Sequence, residues 1–366
     1  MHFPRRAGLP ALALLILAAA LSPGRAAAQN GNEKRAASPN GKIIFQSTQG
    51  SDGFVNDIYA MDADGKHQTR LTDSAFDDTT PVWSPPGDKI AFLSDRRGNG
   101  YEIYLMDADG SNQRPLRDAS PVYTNAFAWS PDGTRLAYAD GGNVYVAEVT
   151  SGGDDSTAAP VDVSVGKVVG STDGAPSWSP EGGRLVVSNS TACPGCSDLH
   201  IVNASDGGDR IALSTGPGFD AAPTWSPDGS LIAYEADRGG RGIYVIAANG
   251  AGTEVKVSGA VGSIGGPVWS PAGARLAFRA LSGNNVYAVN ADGSGLARLS
   301  DMTCSSGDIF WSPDGSKVSF HNGNADNWMD IYVVNADGST KRNAPNYTKT
   351  KRADEFASSW QRLPMP

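Results

Sequence analysis

At 366 residues the chain is long enough for two ordinary domains or one large β-domain. Its 44 Gly and 23 Pro make turns frequent and disfavour long helices. With 39 Asp+Glu against 30 Lys+Arg the formal charge is −9, which excludes nucleic acid as a main partner, because phosphate-backbone binding needs clustered cations.

Residues 1–28 read as a secretory signal. Arg5 and Arg6 form a charged start, Leu9 to Leu21 an apolar run, and Ala26-Ala27-Ala28 a small-residue cleavage site before Gln29. The run is too short to cross a hydrocarbon core of about 30 Å as a helix. An uncleaved anchor and twin-arginine export are the rival readings. Residues 29–37 then form a short linker, and no later segment is apolar enough to span a membrane. The mature protein is expected to be periplasmic or secreted and monomeric. Cleavage would take Lys+Arg from 30 to 27 against 39 acids, a charge of −12. Cys193 and Cys196 form C-P-G-C, expected to close as a loop disulfide after export.

From Ser38 onward the chain repeats. S-P-x-G begins at 38, 84, 130, 179, 226, 270 and 312, and six copies follow a tryptophan: Trp83, Trp129, Trp178, Trp225, Trp269 and Trp311. Behind each comes a short apolar strand such as "KIAF", then a run such as "EIYLMD", then a weaker fourth segment such as "LARLS". Pro presets φ for a type I turn and Gly takes the following positive-φ position, so S-P-x-G reads as a hairpin connection. Asp-Ala-Asp-Gly at 62–65 and 107–110 reads as a second hairpin turn. Four short strands repeating about every 46 residues point to the blades of a β-propeller, an all-β fold in which blades bury one another's faces. The tryptophans would be structural, on the innermost strands.

The first copy, "SPNGKIIF", has Ala37 where the others have tryptophan, and Trp360 stands near the C-terminus with no strand behind it. The two fragments complement each other. Residues 356–361 are therefore expected to pair beside 42–46 and close a seven-bladed ring over 38–362.

The pattern P-x-W-S-P-D-G-x-x-I-A-F followed by D-I-Y-x-M-D-A-D-G resembles TolB-type propeller repeats, also found in divergent form in prolyl-oligopeptidase-like peptidases. It lacks the Gly-His and Trp-Asp marks of WD repeats. The resemblance implies a stand-alone propeller without the N-terminal domain of TolB, and a cell-envelope binding role.

The residues offer no catalytic set. There is no G-x-S-x-G nucleophile elbow. Of the histidines after the signal, His67 falls in a turn, His200 replaces the Tyr of an "IY" pair, and His321 ends a second strand; they belong to different blades. This argues against a metal centre of the kind used by the related oligogalacturonate lyases. No metal or other cofactor is expected, although a cation such as calcium could sit in an acidic channel mouth.

Interblade loops and the loops joining second to third strands open on one face. Five residues before their tryptophans stand Asp78, Asp173, Asp220 and Glu355, with Asp77, Asp308 and Asp354 close by. Such carboxylates around a narrow mouth would focus negative potential, or would simply cap loop turns. Phe54, Tyr101 and Trp328 add aromatics to the same face, either as anchors for a partner or as packing for their own loops. The function expected is a non-enzymatic propeller binding an envelope protein or peptide. The alternative is a hydrolase or lyase acting on a polysaccharide through a carboxylate or metal site.

Overall fold

The computed structural model describes residues 40–50, 55–98, 100–116, 127–149, 159–163, 176–190, 196–214, 218–263, 265–281, 283–302, 309–323, 328–342, 344–349 and 353–363. The expected signal and linker lie outside the described residues. Seven antiparallel sheets follow one another as blades of a β-propeller. Blade 2 is typical: Asp78–Trp83, Lys89–Ser94, Glu102–Asp107 and Arg114–Pro115 lie side by side in chain order. Second and third strands bury both faces, as in Asp57–Met61, because each blade is sandwiched between two others. β-Branched and aromatic residues fit that doubly covered surface.

The turn chemistry is as expected. In blade 2 the Gly87 N–H donates to Ser84 O at 2.8 Å, and Ser84 Oγ accepts from the Lys89 N–H at 3.0 Å. Gly87 has φ +79°, and a Cβ there would lie 2.7 Å from the Arg362 carbonyl oxygen, so glycine is required twice over.

Seven apolar clusters fill the seven interfaces between neighbouring blades. Each repeat tryptophan is buried in one of them, between 5 and 8% exposed. The indole also acts as a latch. Trp129 donates its Nε1–H to Val82 O, Trp178 to Ala128 O, Trp269 to Thr224 O and Trp311 to Val268 O, in each case the residue before the previous blade's tryptophan. Where that residue is serine the geometry changes. Ser359 and Ser177 hydroxyls accept the backbone N–H of Trp83 and Trp225 instead. Six blades carry a stacked or tilted ring pair across the second and third strands, such as Phe45–Tyr59 at 5.6 Å. In blade 4 that position holds Val187 opposite His200.

The ring closes as the repeat predicted. Glu355–Arg362 is the innermost strand of blade 1, antiparallel to Asn40–Ser47, with Ile43 opposite Trp360 and Ser47 opposite Glu355. Trp360 packs with Ile43, Phe45 and Tyr59 of blade 1 and with Ile331 and Val333 of blade 7, and its indole donates to Ser319 Oγ at 2.9 Å.

Two details differ from expectation. Gly41 does not serve as a turn glycine: Asn40 and Gly41 already lie in the strand, whose inner neighbour is Glu355–Arg362 from the other end of the chain. Asn40 instead accepts a hydrogen bond from the Asp314 N–H of blade 7 through its Oδ1. In blade 7 the fourth segment is reduced, among the described residues, to a bridge between Tyr332 and Asn346. Pro345 lies in that segment and has no N–H to offer a ladder. Among the described residues no helix is long and apolar enough to cross a membrane.

Removing residues 355–366 is expected to abolish the cooperative thermal unfolding of the whole ring. Trp360→Ala should lower stability by about 3–5 kcal/mol, measured by chemical denaturation. A truncated chain melting like the full chain would refute closure through this strand.

Candidate functional site

The loop face is organised by carboxylates placed where the interblade loop enters the innermost strand. In blade 2, Asp78 is fully buried. Arg96, from the loop joining the second and third strands, meets it with Nη2 at 2.8 Å and Nε at 3.3 Å. The same guanidinium lies 5.5 Å from the Phe92 ring centroid and 5.2 Å from that of Tyr104, so a cation–π contact fixes its plane. Blade 5 repeats the device. Asp220 is fully buried and held by Arg238 through Nη1 at 2.7 Å and Nη2 at 2.8 Å. Arg238 reaches on to Glu254 at 3.1 Å, and Glu254 accepts the Tyr234 hydroxyl. Hydrogen bonding to Asp220 holds the Arg238 guanidinium even more firmly protonated than usual, and burial together with Glu254 pushes the Tyr234 phenol up.

Thus Asp78 and Asp220 lie neutralised beneath the face, in different blades. Burying such a charge is tolerable only with a matched partner. Glu355 is also fully buried and accepts from the Ser47 hydroxyl at 3.3 Å.

The half-buried carboxylates sit differently. Asp77 accepts the Asn56 N–H at 2.8 Å, the Asn56 side-chain amide at 3.2 Å and the Tyr101 hydroxyl at 3.4 Å. Burial, then the neighbouring Asp77 and Asp95 charges, push the Tyr101 phenol up. Phe76, beside Asp77 in the chain, is 44% exposed. Asp354 accepts the Met329 N–H at 2.9 Å, which seats Trp328 one residue away, while its own N–H donates to Thr48 Oγ1 at 3.0 Å. So Asp77 meets Tyr101 where blades 1 and 2 adjoin, and Asp354 lies by Trp328 where blades 7 and 1 adjoin. Phe54, Asp173 and Asp308 lie outside the described residues, as does Cys193. Cys196 is disulfide-bonded.

Sequence reasoning missed Arg96, Arg238 and Phe76. The arginines had a legible signal: D-R-R-G at 95–98 and D-R-G-G at 237–240 each place an arginine 18 residues after the acid it pairs with.

The histidines do not converge. His67 sits at an exposed turn with Nδ1 2.7 Å from Asp62. His200 is half-buried, and burial lowers its basicity. His321 is fully buried, edge-on to Phe356 at 5.0 Å, and burial with the nearby Arg279 charge lowers its pKa to about 4. Among the described residues no group of three or more His, Cys, Asp or Glu is arranged to hold a metal ion. The Asx turns account for the acidic turn residues, as where Asp64 accepts the Lys66 N–H at 3.1 Å.

Residues 99–255 match the family described as PD40, TolB beta propeller domain. Over those residues the repeats are similar to TolB-type propeller repeats. The chain is similar to TolB from Acinetobacter baumannii at 19% identity and a TM-score of 0.52, covering 71% of this chain and 64% of that one, so it spans under two thirds of that protein. A putative TolB from Agrobacterium tumefaciens matches at 18% identity and a TM-score of 0.53, over 81% and 99% of the two chains. An oligogalacturonate lyase from Vibrio parahaemolyticus matches at 15% identity and a TM-score of 0.59, over 84% and 85%. These likenesses establish the β-propeller fold; the same fold carries binding proteins and enzymes.

Two predictions follow from the buried charges. Asp78→Ala should cost about 3–5 kcal/mol by leaving Arg96 uncompensated, whereas Asp78→Leu with Arg96→Met should recover most of that loss in denaturant titrations. For His321 the folded pKa lies below the unfolded value near 6.5, so neutral His321 contributes stability above pH 6.5 that is lost as pH falls toward 4. His321→Phe should flatten the stability–pH curve over that window by up to ~3 kcal/mol. An unchanged slope would assign the acid sensitivity elsewhere.

Proposed function

We propose that the protein is an exported, non-enzymatic propeller that binds a protein or peptide partner of the cell envelope on its loop face. The observation that supports this most is the pair of acid–aromatic patches flanking the seam, Asp77 with Tyr101 and Phe76 on one side, Asp354 with Trp328 on the other. Half-buried aromatics beside carboxylates suit a partner that brings apolar and cationic side chains together. The Asp78–Arg96 and Asp220–Arg238 pairs beneath the face would keep the loops in place before the partner arrives, which lowers the ordering cost of association. Export through residues 1–28, monomeric state and envelope location belong to the same proposal.

Crosslinking capture from an envelope extract tests it. Wild-type protein and a Lys66→Ala control on the opposite face should capture the same partner. The combination Phe76→Ser, Asp77→Asn and Trp328→Ala should lose it at unchanged melting temperature. Capture indifferent to those substitutions would overturn the reading. So would turnover of uronate or neutral glycans by metal-loaded protein, which belongs to the polysaccharide alternative.

A further inference from the structure

The opposite, turn-face mouth of the channel departs from the repeat in one place. Two residues beyond each repeat tryptophan the innermost strand reaches the rim. In blades 2 to 7 that position is proline: Pro85, Pro131, Pro180, Pro227, Pro271 and Pro313. Blade 1 is closed by the C-terminal strand, which continues Trp360-Gln361-Arg362, so its rim position is Arg362. The seam thus installs one guanidinium in a ring of prolines.

The rim opens on a cavity of about 660 Å³, lined by the first four of those prolines, the indoles behind them and Arg362. Arg362 is the one charged residue among the lining residues. Its side chain is exposed, and among the described residues no carboxylate pairs with it. Its backbone is fixed nonetheless. Gln361 accepts the Lys42 N–H at 3.2 Å and donates to Gly87 O at 2.8 Å, and Arg362 itself pairs with Asn40 across the strands.

We propose that this mouth is a second binding site, independent of the loop-face reading, which takes the C-terminal end of an apolar, proline-containing peptide. A guanidinium matches a carboxylate in geometry and charge, and a terminal carboxylate is the one anion that an apolar peptide always carries. Proline and indole surfaces suit the pyrrolidine and aromatic rings of such a chain. The cavity falls in the range that holds a ligand of a few residues. An axial opening admits a chain end more readily than an internal segment, which would have to turn back on itself.

The test uses the mature chain and the peptide Ac-Pro-Leu-Pro-Phe as free acid and as amide, followed by calorimetry and tryptophan fluorescence. The acid should bind at least about tenfold tighter than the amide, the scale of one charge-assisted hydrogen-bonded pair. Arg362→Met should erase that preference while leaving amide binding and melting temperature unchanged, and Arg362→Lys should restore part of it. Pro131→Asp, on the exposed rim, should weaken both peptides. Equal affinity for acid and amide, a preference that survives Arg362→Met, or no binding of either peptide at millimolar concentration would overturn the proposal. So would hydrocinnamate binding as tightly as the peptide acid, which would make the site one for small apolar carboxylates. The loop-face variants should bind the peptide like wild type, so failure here and failure of the loop-face reading are separable.

Discussion

The structure depends on one antiparallel pairing between the two ends of the chain. No blade can stand alone, because its second and third strands are buried on both faces and need a neighbour on each side. In an open row of blades the terminal ones would leave an apolar face and a strand edge to water. Pairing Glu355–Arg362 with Asn40–Ser47 removes both liabilities at once and turns six interfaces into seven. The contact is also the most non-local in the fold, joining residues about 300 positions apart, so its loop-closure entropy is met only when the other blades have formed.

The tryptophans extend the same logic around the ring. Each indole fills an interblade cluster and, in most blades, ties its N–H to the carbonyl of the preceding innermost strand. Apolar burial alone would let blades slide along one another. The hydrogen bond fixes their height, since a buried indole N–H without a partner is penalised. On the loop face the Asp–Arg pairs do the equivalent work for the loops. Their net contribution to stability is small by comparison with an apolar substitute, and their value lies in holding one loop geometry.

How much of this could be read from the sequence follows from what a repeat encodes. Tryptophan spacing, S-P-x-G turns and alternating apolar runs are local signals repeated seven times, so fold, blade number and even the seam were legible: Ala37 and Trp360 are complementary irregularities. The same regularity misled at Gly41, where the letters of a turn persist although Gly41 lies within a strand whose inner neighbour comes from the other end of the chain. In blade 7 the fourth segment, which the pattern only weakly specified, is reduced among the described residues to the Tyr332–Asn346 bridge. Side-chain partners were the hardest. Asp78 and Asp220 looked like a ring of free carboxylates because their charge is visible in the sequence, whereas neutralisation by Arg96 and Arg238 depends on how two loops fold together.

In a rotationally repeated fold, specific recognition has to come from departures from the repeat. A ring of seven equivalent positions presents seven equivalent contacts and cannot orient an asymmetric partner. The seam is where this chain departs most, because its innermost strand is encoded apart from the rest of its blade and is free of the constraints of the W-S-P-x-G hairpin. That strand begins with Glu355, next to Asp354, at the loop-face end and finishes with Gln361 and Arg362 at the turn-face end. Both ends of the channel are therefore marked by the same strand. The closure that stabilises the ring also breaks its symmetry, and it gives each mouth a direction that the other six blades lack.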